Sequence, residues 1–122
     1  MKFLLDANFL LLPGKFKADI FSELAKFGRP ELYTLDLIVK ELEKIAAGKG
    51  RDAGYARLGL ELIRKKRIRV LKTTGKSADL ALEQTALKGN FTLCTQDRAL
   101  IKKLRGRAPV IYLRQRKYLV KI

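Results

Sequence analysis

The stretch Phe91-Thr92-Leu93-Cys94-Thr95-Gln96-Asp97, read beside Lys2-Phe3-Leu4-Leu5-Asp6, decides the fold of this chain. Each is a short apolar run closed by an aspartate. Runs without polar alternation suit strands buried on both faces, as in a parallel sheet, and the acid then falls at the strand's carboxyl end. Open α/β sheets bind ligands beyond those ends, in the crevice where strand order reverses. Asp6 and Asp97 flank such a crevice if the first and fourth strands are neighbours.

Working outward from these runs, helical and strand patterns alternate. Phe16, Ile20, Leu24 and Phe27 recur at helical spacing, with Pro13-Gly14 separating them from the first strand. Glu31 to Leu35 reads as a second strand, followed by a helix from about Asp36 to Ala47, capped by Asp36 and stopped by Gly48. Tyr55, Leu58, Leu62 and Ile63 mark a further helix, and Ile68 to Leu71 a third strand. Ser77 N-caps a helix that ends at Gly89-Asn90. Phe91 to Thr95 is the fourth strand, Arg98 to Arg105 a helix and Val110 to Leu113 the fifth strand. Tyr118 to Ile122 remains open as a short additional edge strand. The expected architecture is a three-layer α/β/α sandwich around a mostly parallel five-stranded sheet, one domain over residues 1–122.

Composition narrows the chemistry. Lys and Arg outnumber Asp and Glu 27 to 12, a formal charge of +15 that favours polyanionic partners. From Arg98 to Ile122 there are nine basic residues and no acid. The plainer reading of such a run is a solvated face. With no histidine and one cysteine, Cys94, the chain lacks histidine acid–base pairs, serine triads, disulfides and cysteine zinc clusters. Cys94 lies in an apolar strand and reads as an inert buried thiol. No stretch approaches the ~20 apolar residues of a membrane span and no clear signal sequence is present, so a cytoplasmic protein without a membrane partner is expected.

Two further acids stand out by the face they occupy. Leu37, Ile38, Leu42 and Ile45 define the buried side of their helix, and Glu41 lies one turn from three of them, whereas Glu43 points about 200° away from Glu41. Asp79 borders Leu82 and Ala86 in the first turn of its helix. A carboxylate beside a core needs a partner. A helix cap for Asp79 and an ion pair for Glu41 are the structural alternatives to a functional role. Taken as a quartet, Asp6, Glu41, Asp79 and Asp97 point to Mg²⁺ or Mn²⁺, which keeps clustered carboxylates ionised and lets a phosphate approach acids in a basic protein. One or two ions would activate water and stabilise the leaving alkoxide.

The order of these segments resembles a known family. Asp6-Ala7-Asn8 after the first strand, Lys40-Glu41-Leu42-Glu43 in a helix, Ala78-Asp79 opening another, and Thr95-Gln96-Asp97-Arg98-Ala99-Leu100 after the fourth strand look like the successive motifs of a PIN-domain nuclease. Within that superfamily the chain is most similar to the ribosomal-RNA-processing branch, through Ser77-Ala78-Asp79, the run Cys94 to Leu100, and the basic ending with Tyr112 and Tyr118. The resemblance implies that Asp6, Glu41, Asp79 and Asp97 are both the catalytic and the metal-binding residues. It also implies that Asn8 supports the first acid and that Thr95 orients the last strand end. Asn8 as a turn former and Thr95 as a β-branched strand residue stay open beside those roles. Leu80 stands where some members carry another acid, which leaves one and two metals both open.

The expected activity is therefore a Mg²⁺- or Mn²⁺-dependent endoribonuclease acting on single-stranded or precursor ribosomal RNA. Arg98, Lys102, Lys103 and Arg105 are its expected phosphate-binding residues, and the family resemblance implies 5′-phosphate and 3′-hydroxyl product ends and a possible homodimer. The alternatives are a catalytically silent RNA-binding PIN module and a VapC-type toxin ribonuclease held by an antitoxin. A phosphorylated receiver domain fits poorly, because the third strand ends Val70-Leu71-Lys72 without a phosphoacceptor aspartate.

Overall fold

A computed structural model describes residues 1–122. Strands β1 (Lys2–Leu5), β2 (Glu31–Leu35), β3 (Arg69–Leu71), β4 (Thr92–Cys94), β5 (Val110–Arg114) and β6 (Tyr118–Lys121) form one sheet in the order β3-β2-β1-β4-β5-β6. All pairings are parallel except β5 with β6. The expected α/β/α sandwich is present, with six strands rather than five. The sixth returns antiparallel through a tight turn in which Gln115 and Arg116 both adopt left-handed backbone, φ 54 and 59. Neither is a residue type that favours that region, so local sequence gave the hairpin no signal.

Helices α1 (Ala7–Phe16), α2 (Ile20–Ala25), α3 (Asp36–Ala46) and α4 (Arg51–Lys65) arise in the crossovers β1 to β2 and β2 to β3. Helices α5 (Ala78–Gly89) and α6 (Arg98–Leu104) arise in the crossovers on the β4 side. α1, α3 and α4 pack on one another, α5 packs on α6 and β4, and α2 lies against β6. The core is built from Phe3, Leu4, Leu5, Leu35, Leu93, Val110 and Ile111 of the strands and from helix residues such as Phe9, Ile38, Leu82 and Leu100.

Three expectations differ from the structure. Pro13-Gly14 does not separate strand from helix: α1 begins directly after β1 and runs through both residues. Asp6 caps it at once, and Gly14 is required inside because an added Cβ would stand 2.8 Å from Tyr55 Cδ1. The helical break falls at Lys17, left-handed at φ 52, so Phe16 and Ile20 belong to different helices. The second difference is α4, which buries the small residues Ala53, Ala56 and Gly59, while Leu58 is exposed. The small stripe allows close approach to α1, with Gly59 set against the Leu10 carbonyl. Asp36 is also not the cap of α3 but its first residue, and its side chain accepts hydrogen bonds from Leu37 N, Thr73 N and Thr73 Oγ1.

No helix is long and apolar enough to cross a membrane.

Candidate active site

The sheet places the two aspartates as expected from adjacent strands. β1 pairs with β2 on one side and β4 on the other, so strand order reverses beside it. Leu5 stands opposite Cys94, and Asp6 N donates to Cys94 O at 3.0 Å. The next residue on each strand is therefore Asp6 and Thr95, side by side at the carboxyl edge. On the other flank Thr34 Oγ1 donates to Leu5 O at 2.7 Å, fixing β2 to the same strand end.

Asp6 is only 5% exposed. Its Oδ1 accepts from Ala7 N at 2.7 Å, capping α1, and its Oδ2 accepts from Thr95 Oγ1 at 2.7 Å. Burial raises its carboxyl above the ordinary 3.8, the hydrogen bonds from Thr95 and Ala7 oppose that shift, and the nearby charges of Asp79 and Asp97 reinforce it. Thr95 Oγ1 also accepts from Asp97 N at 3.1 Å, so one hydroxyl links the two aspartates. Asn8 Oδ1 accepts from Gln96 N at 3.0 Å and lies 3.3 Å from Thr95 Oγ1. Asn8 thus ties the first turn of α1 to the loop after β4, and is no mere turn former. Asp97 caps α6 through Oδ1, which accepts from Ala99 N and Leu100 N.

Glu41 and Asp79 arrive from opposite faces of the sheet. Both are exposed at the site's rim, less buried than their helical positions suggested. Partial desolvation and then repulsion by Asp6 and Asp79 raise the Glu41 carboxyl above its ordinary 4.5. The structural alternatives weighed for these two acids are not what the structure holds. Ser77 caps α5 by accepting from Leu80 N at 3.2 Å, leaving Asp79 free of that task. Glu41 has no basic partner. None of the chain's ion pairs involves Asp6, Glu41, Asp79 or Asp97, although the chain has 27 Lys and Arg.

This charge imbalance in an all-oxygen donor set fits a hard divalent cation. The helix N-termini that Asp6 and Asp97 cap supply part of the compensation through backbone N–H groups. In the arrangement present, no three acids are gathered closely enough to grip one ion, so the preformed part of the site is the pair of strand-end aspartates with Thr95.

A cavity of about 350 Å³ opens over Asp79 and Asp97, bordered by Lys102 and Lys103. Lys103 is partly engaged, 3.4 Å from Glu83, which also meets Arg107 at 3.4 Å. A larger cleft of about 730 Å³ lies alongside, between α6 and β5, lined by Arg98 and Lys102 from the helix, Arg105 at its end, and Tyr112 and Arg114 from the strand. The sequence reading missed Arg114 as a site residue and used Tyr112 only as a mark of resemblance. Period-two alternation in β5, which puts residues 112 and 114 on one face, was the available signal. It also missed Gln96, whose amide donates to Leu113 O at 3.1 Å and accepts from Leu113 N at 2.6 Å, pinning the β4 loop to β5. Cys94 is fully buried and burial pushes its thiol well above 9.0, in keeping with an inert residue.

Residues 3–116 match the sequence profile of the PIN-like domain family. The chain belongs to that family. This PIN-like domain is also similar to Ribonuclease VapC9 of Archaeoglobus fulgidus, 31% identical over 114 residues that span 92% of the chain and 82% of the relative. Among solved structures it superposes on the PIN domain endonuclease Utp24 with a TM-score of 0.80 at 22% identity, covering 97% of this chain and 88% of the other. A domain of a functionally unknown protein from Methanocaldococcus jannaschii shares the fold at a TM-score of 0.61 and 18% identity, covering 93% and 91%. These likenesses bear on the fold of the PIN-like domain and leave the roles of its four acids to chemistry.

Proposed function

We propose that this PIN-like domain is a metal-dependent endoribonuclease that hydrolyses phosphodiester bonds in single-stranded RNA, acting on precursor ribosomal RNA. The observation that carries the reading is that Asp6 lies near enough to Asp79 and Asp97, and Glu41 to Asp6 and Asp79, for their charges to repel, with no Lys or Arg paired to any of them, in a chain of charge +15. Asp6, buried without a cationic partner, is costly to keep ionised unless something else is bound there.

Asp6, Glu41, Asp79 and Asp97 are the residues that would hold Mg²⁺ or Mn²⁺. The bound ion would supply charge neutralisation and a lowered pKa for water. Everything else falls to the chain. Asp6 is held rigidly by Ala7 N and Thr95, and Asp97 by the first turn of α6, while the exposed Glu41 and Asp79 are free to adjust. Lys102 and Lys103 border the acids and receive the phosphate, and Arg98 and Arg105 extend the basic track. Water oxygen forms the new bond to phosphorus, the bond from phosphorus to the 3′ oxygen breaks, and the proton passes to that leaving oxygen. The products carry a 5′-phosphate and a 3′-hydroxyl.

The test is incubation of end-labelled single-stranded and ribosomal RNAs with the chain, with Mg²⁺, with Mn²⁺ and with chelator, followed by analysis of the product ends. Cleavage dependent on the ion and leaving 5′-phosphates is expected. RNA bound but intact at every metal concentration would overturn the proposal in favour of a silent binding module.

One observation favours a second reading, the VapC-type toxin. The relative that is 31% identical is named a ribonuclease of that kind. Growth arrest on expression, relieved by a small protein encoded beside it, would select the toxin, and cleavage confined to ribosomal precursors would select the first reading.

A further inference from the structure

We infer that the cleft between α6 and β5 is a nucleotide subsite, seating one unpaired nucleotide next to the scissile bond with its base on Tyr112 and its phosphate among Arg98, Arg105 and Arg114. This rests on the reading of the chain as a ribonuclease and adds what the acids do not specify, namely how the substrate strand is gripped. The cleft of about 730 Å³ falls within the ~300–1,000 Å³ range of small-ligand sites.

Its lining brings unpaired cations and an aromatic ring together in one cleft. Arg98 and Lys102 are four residues apart and so share one face of α6, Arg105 is the residue that ends that helix, and Tyr112 and Arg114 share one face of β5. None of these four cations is paired with a carboxylate, whereas Lys103, on the neighbouring face of α6, already meets Glu83. An aromatic ring and the aliphatic Ile101 lie among them. Phosphate recognition alone does not call for that ring. A base does, because every base offers a face that stacks on tyrosine or on an arginine plane. Only a strand with unstacked bases presents such a face, so duplex RNA is excluded from the cleft.

Position supports the assignment. Arg98 follows Asp97 directly, and Lys102 lines both this cleft and the cavity over Asp79 and Asp97. A strand whose phosphate lies at the acids therefore passes its next residue over Lys102 into the cleft. The floor is rigid, since both amide atoms of Gln96 are bonded to the Leu113 main chain. A preformed site loses less on ordering than a mobile one.

The test is carried out without divalent metal, so that no cleavage is needed and the outcome does not depend on catalysis. Fluorescence anisotropy measures binding of a short oligouridylate and of an abasic phosphodiester strand of the same length. Tyr112→Ala is expected to weaken the oligouridylate about tenfold while leaving the abasic strand unchanged, and Tyr112→Phe to bind both like the wild type. Arg105→Ala, at the exposed end of α6, weakens both strands and lowers the slope of log K against log salt by about one. Lys44→Ala, on α3, is the control for diffuse charge and leaves both unchanged. The proposal is overturned if the folded Tyr112→Ala variant affects the two strands alike, if Tyr112→Phe weakens the oligouridylate as much as Tyr112→Ala does, if the wild type does not prefer the base-bearing strand, or if Lys44→Ala costs as much as Arg105→Ala. Failure of cleavage together with the expected binding pattern would remove the nuclease reading and leave the subsite standing.

Discussion

Thr95 and Asp6 are joined by a 2.7 Å hydrogen bond across 89 residues of sequence, and the same Thr95 hydroxyl accepts from Asp97 N at 3.1 Å. A threonine just past the end of β4 thereby sets the spacing of two carboxylates. Thr95→Val keeps the shape and removes the hydroxyl, leaving Asp6 Oδ2 and Asp97 N without their partner. Cleavage is expected to fall about 10- to 100-fold, the usual cost of losing a supporting residue. Thr95→Ser should restore most of it. Steady-state rates at matched Mn²⁺ concentrations, with melting curves to exclude unfolding, check this. Equal rates for Thr95→Val and wild type would make Thr95 a packing residue.

The Asp6 carboxyl is raised by burial first and by Asp79 and Asp97 after its own hydrogen bonds are counted. A carboxyl with a raised folded value binds its proton more tightly folded than unfolded. Its ionisation therefore destabilises the metal-free chain above the folded value, and the penalty is relieved as pH falls towards the ordinary 3.8. Asp6→Asn removes the charge and retains an oxygen to cap α1. In thermal melts without metal, Asp6→Asn should be the more stable protein near neutral pH, with the gap closing on acidification by at most about 1.4 kcal/mol per pH unit. The variant should also lose cleavage.

Asp36 behaves in the opposite sense. The Thr73 hydroxyl, then the Thr73 and Leu37 backbone N–H groups, hold its carboxyl below the ordinary 3.8. Its stabilisation is complete above 3.8 and is lost as pH falls through the lower folded value. Thr73→Val should shrink the part of acid destabilisation that falls in that window and leave cleavage unchanged, as acid titrations followed by circular dichroism would record.

Gly59→Ala pits two effects against each other. Alanine is better by about 1 kcal/mol in an exposed helix. Here its Cβ would stand 2.9 Å from the Leu10 carbonyl oxygen, a backbone atom that cannot swing aside. Overpacking costs about 1–3 kcal/mol, so net destabilisation is expected in urea titrations. Gly54→Ala, whose Cβ would meet only the end of Arg57 at 3.9 Å, should stabilise instead.

The parallel core of the sheet was legible because β1 and β4 are uninterrupted apolar runs, and their closing acids do lie at adjacent strand ends. The α1 break was not legible: Pro13-Gly14 looks like punctuation, and only contact with Tyr55 explains why the helix contains it. The buried face of α4 was misread because Leu58 and Leu62 outweigh Ala53, Ala56 and Gly59 in any hydrophobic pattern, yet helix–helix approach selects the small residues. Helical phase alone placed Glu41 and Asp79 deeper than they lie. Hydrogen bonds through Thr95, Asn8 and Gln96 join segments distant in sequence, and spacing along the chain carries no trace of them.

The most direct measurement is the cleavage rate of a single-stranded RNA with Mn²⁺ for wild type and Asp97→Asn. Asparagine keeps the oxygen that caps α6 through Ala99 N and Leu100 N, so the change removes charge while preserving the helix start. The rate should fall by more than the roughly 10- to 100-fold that a supporting residue is worth, with RNA binding retained. Undiminished cleavage by a folded Asp97→Asn would contradict a carboxylate-built active site.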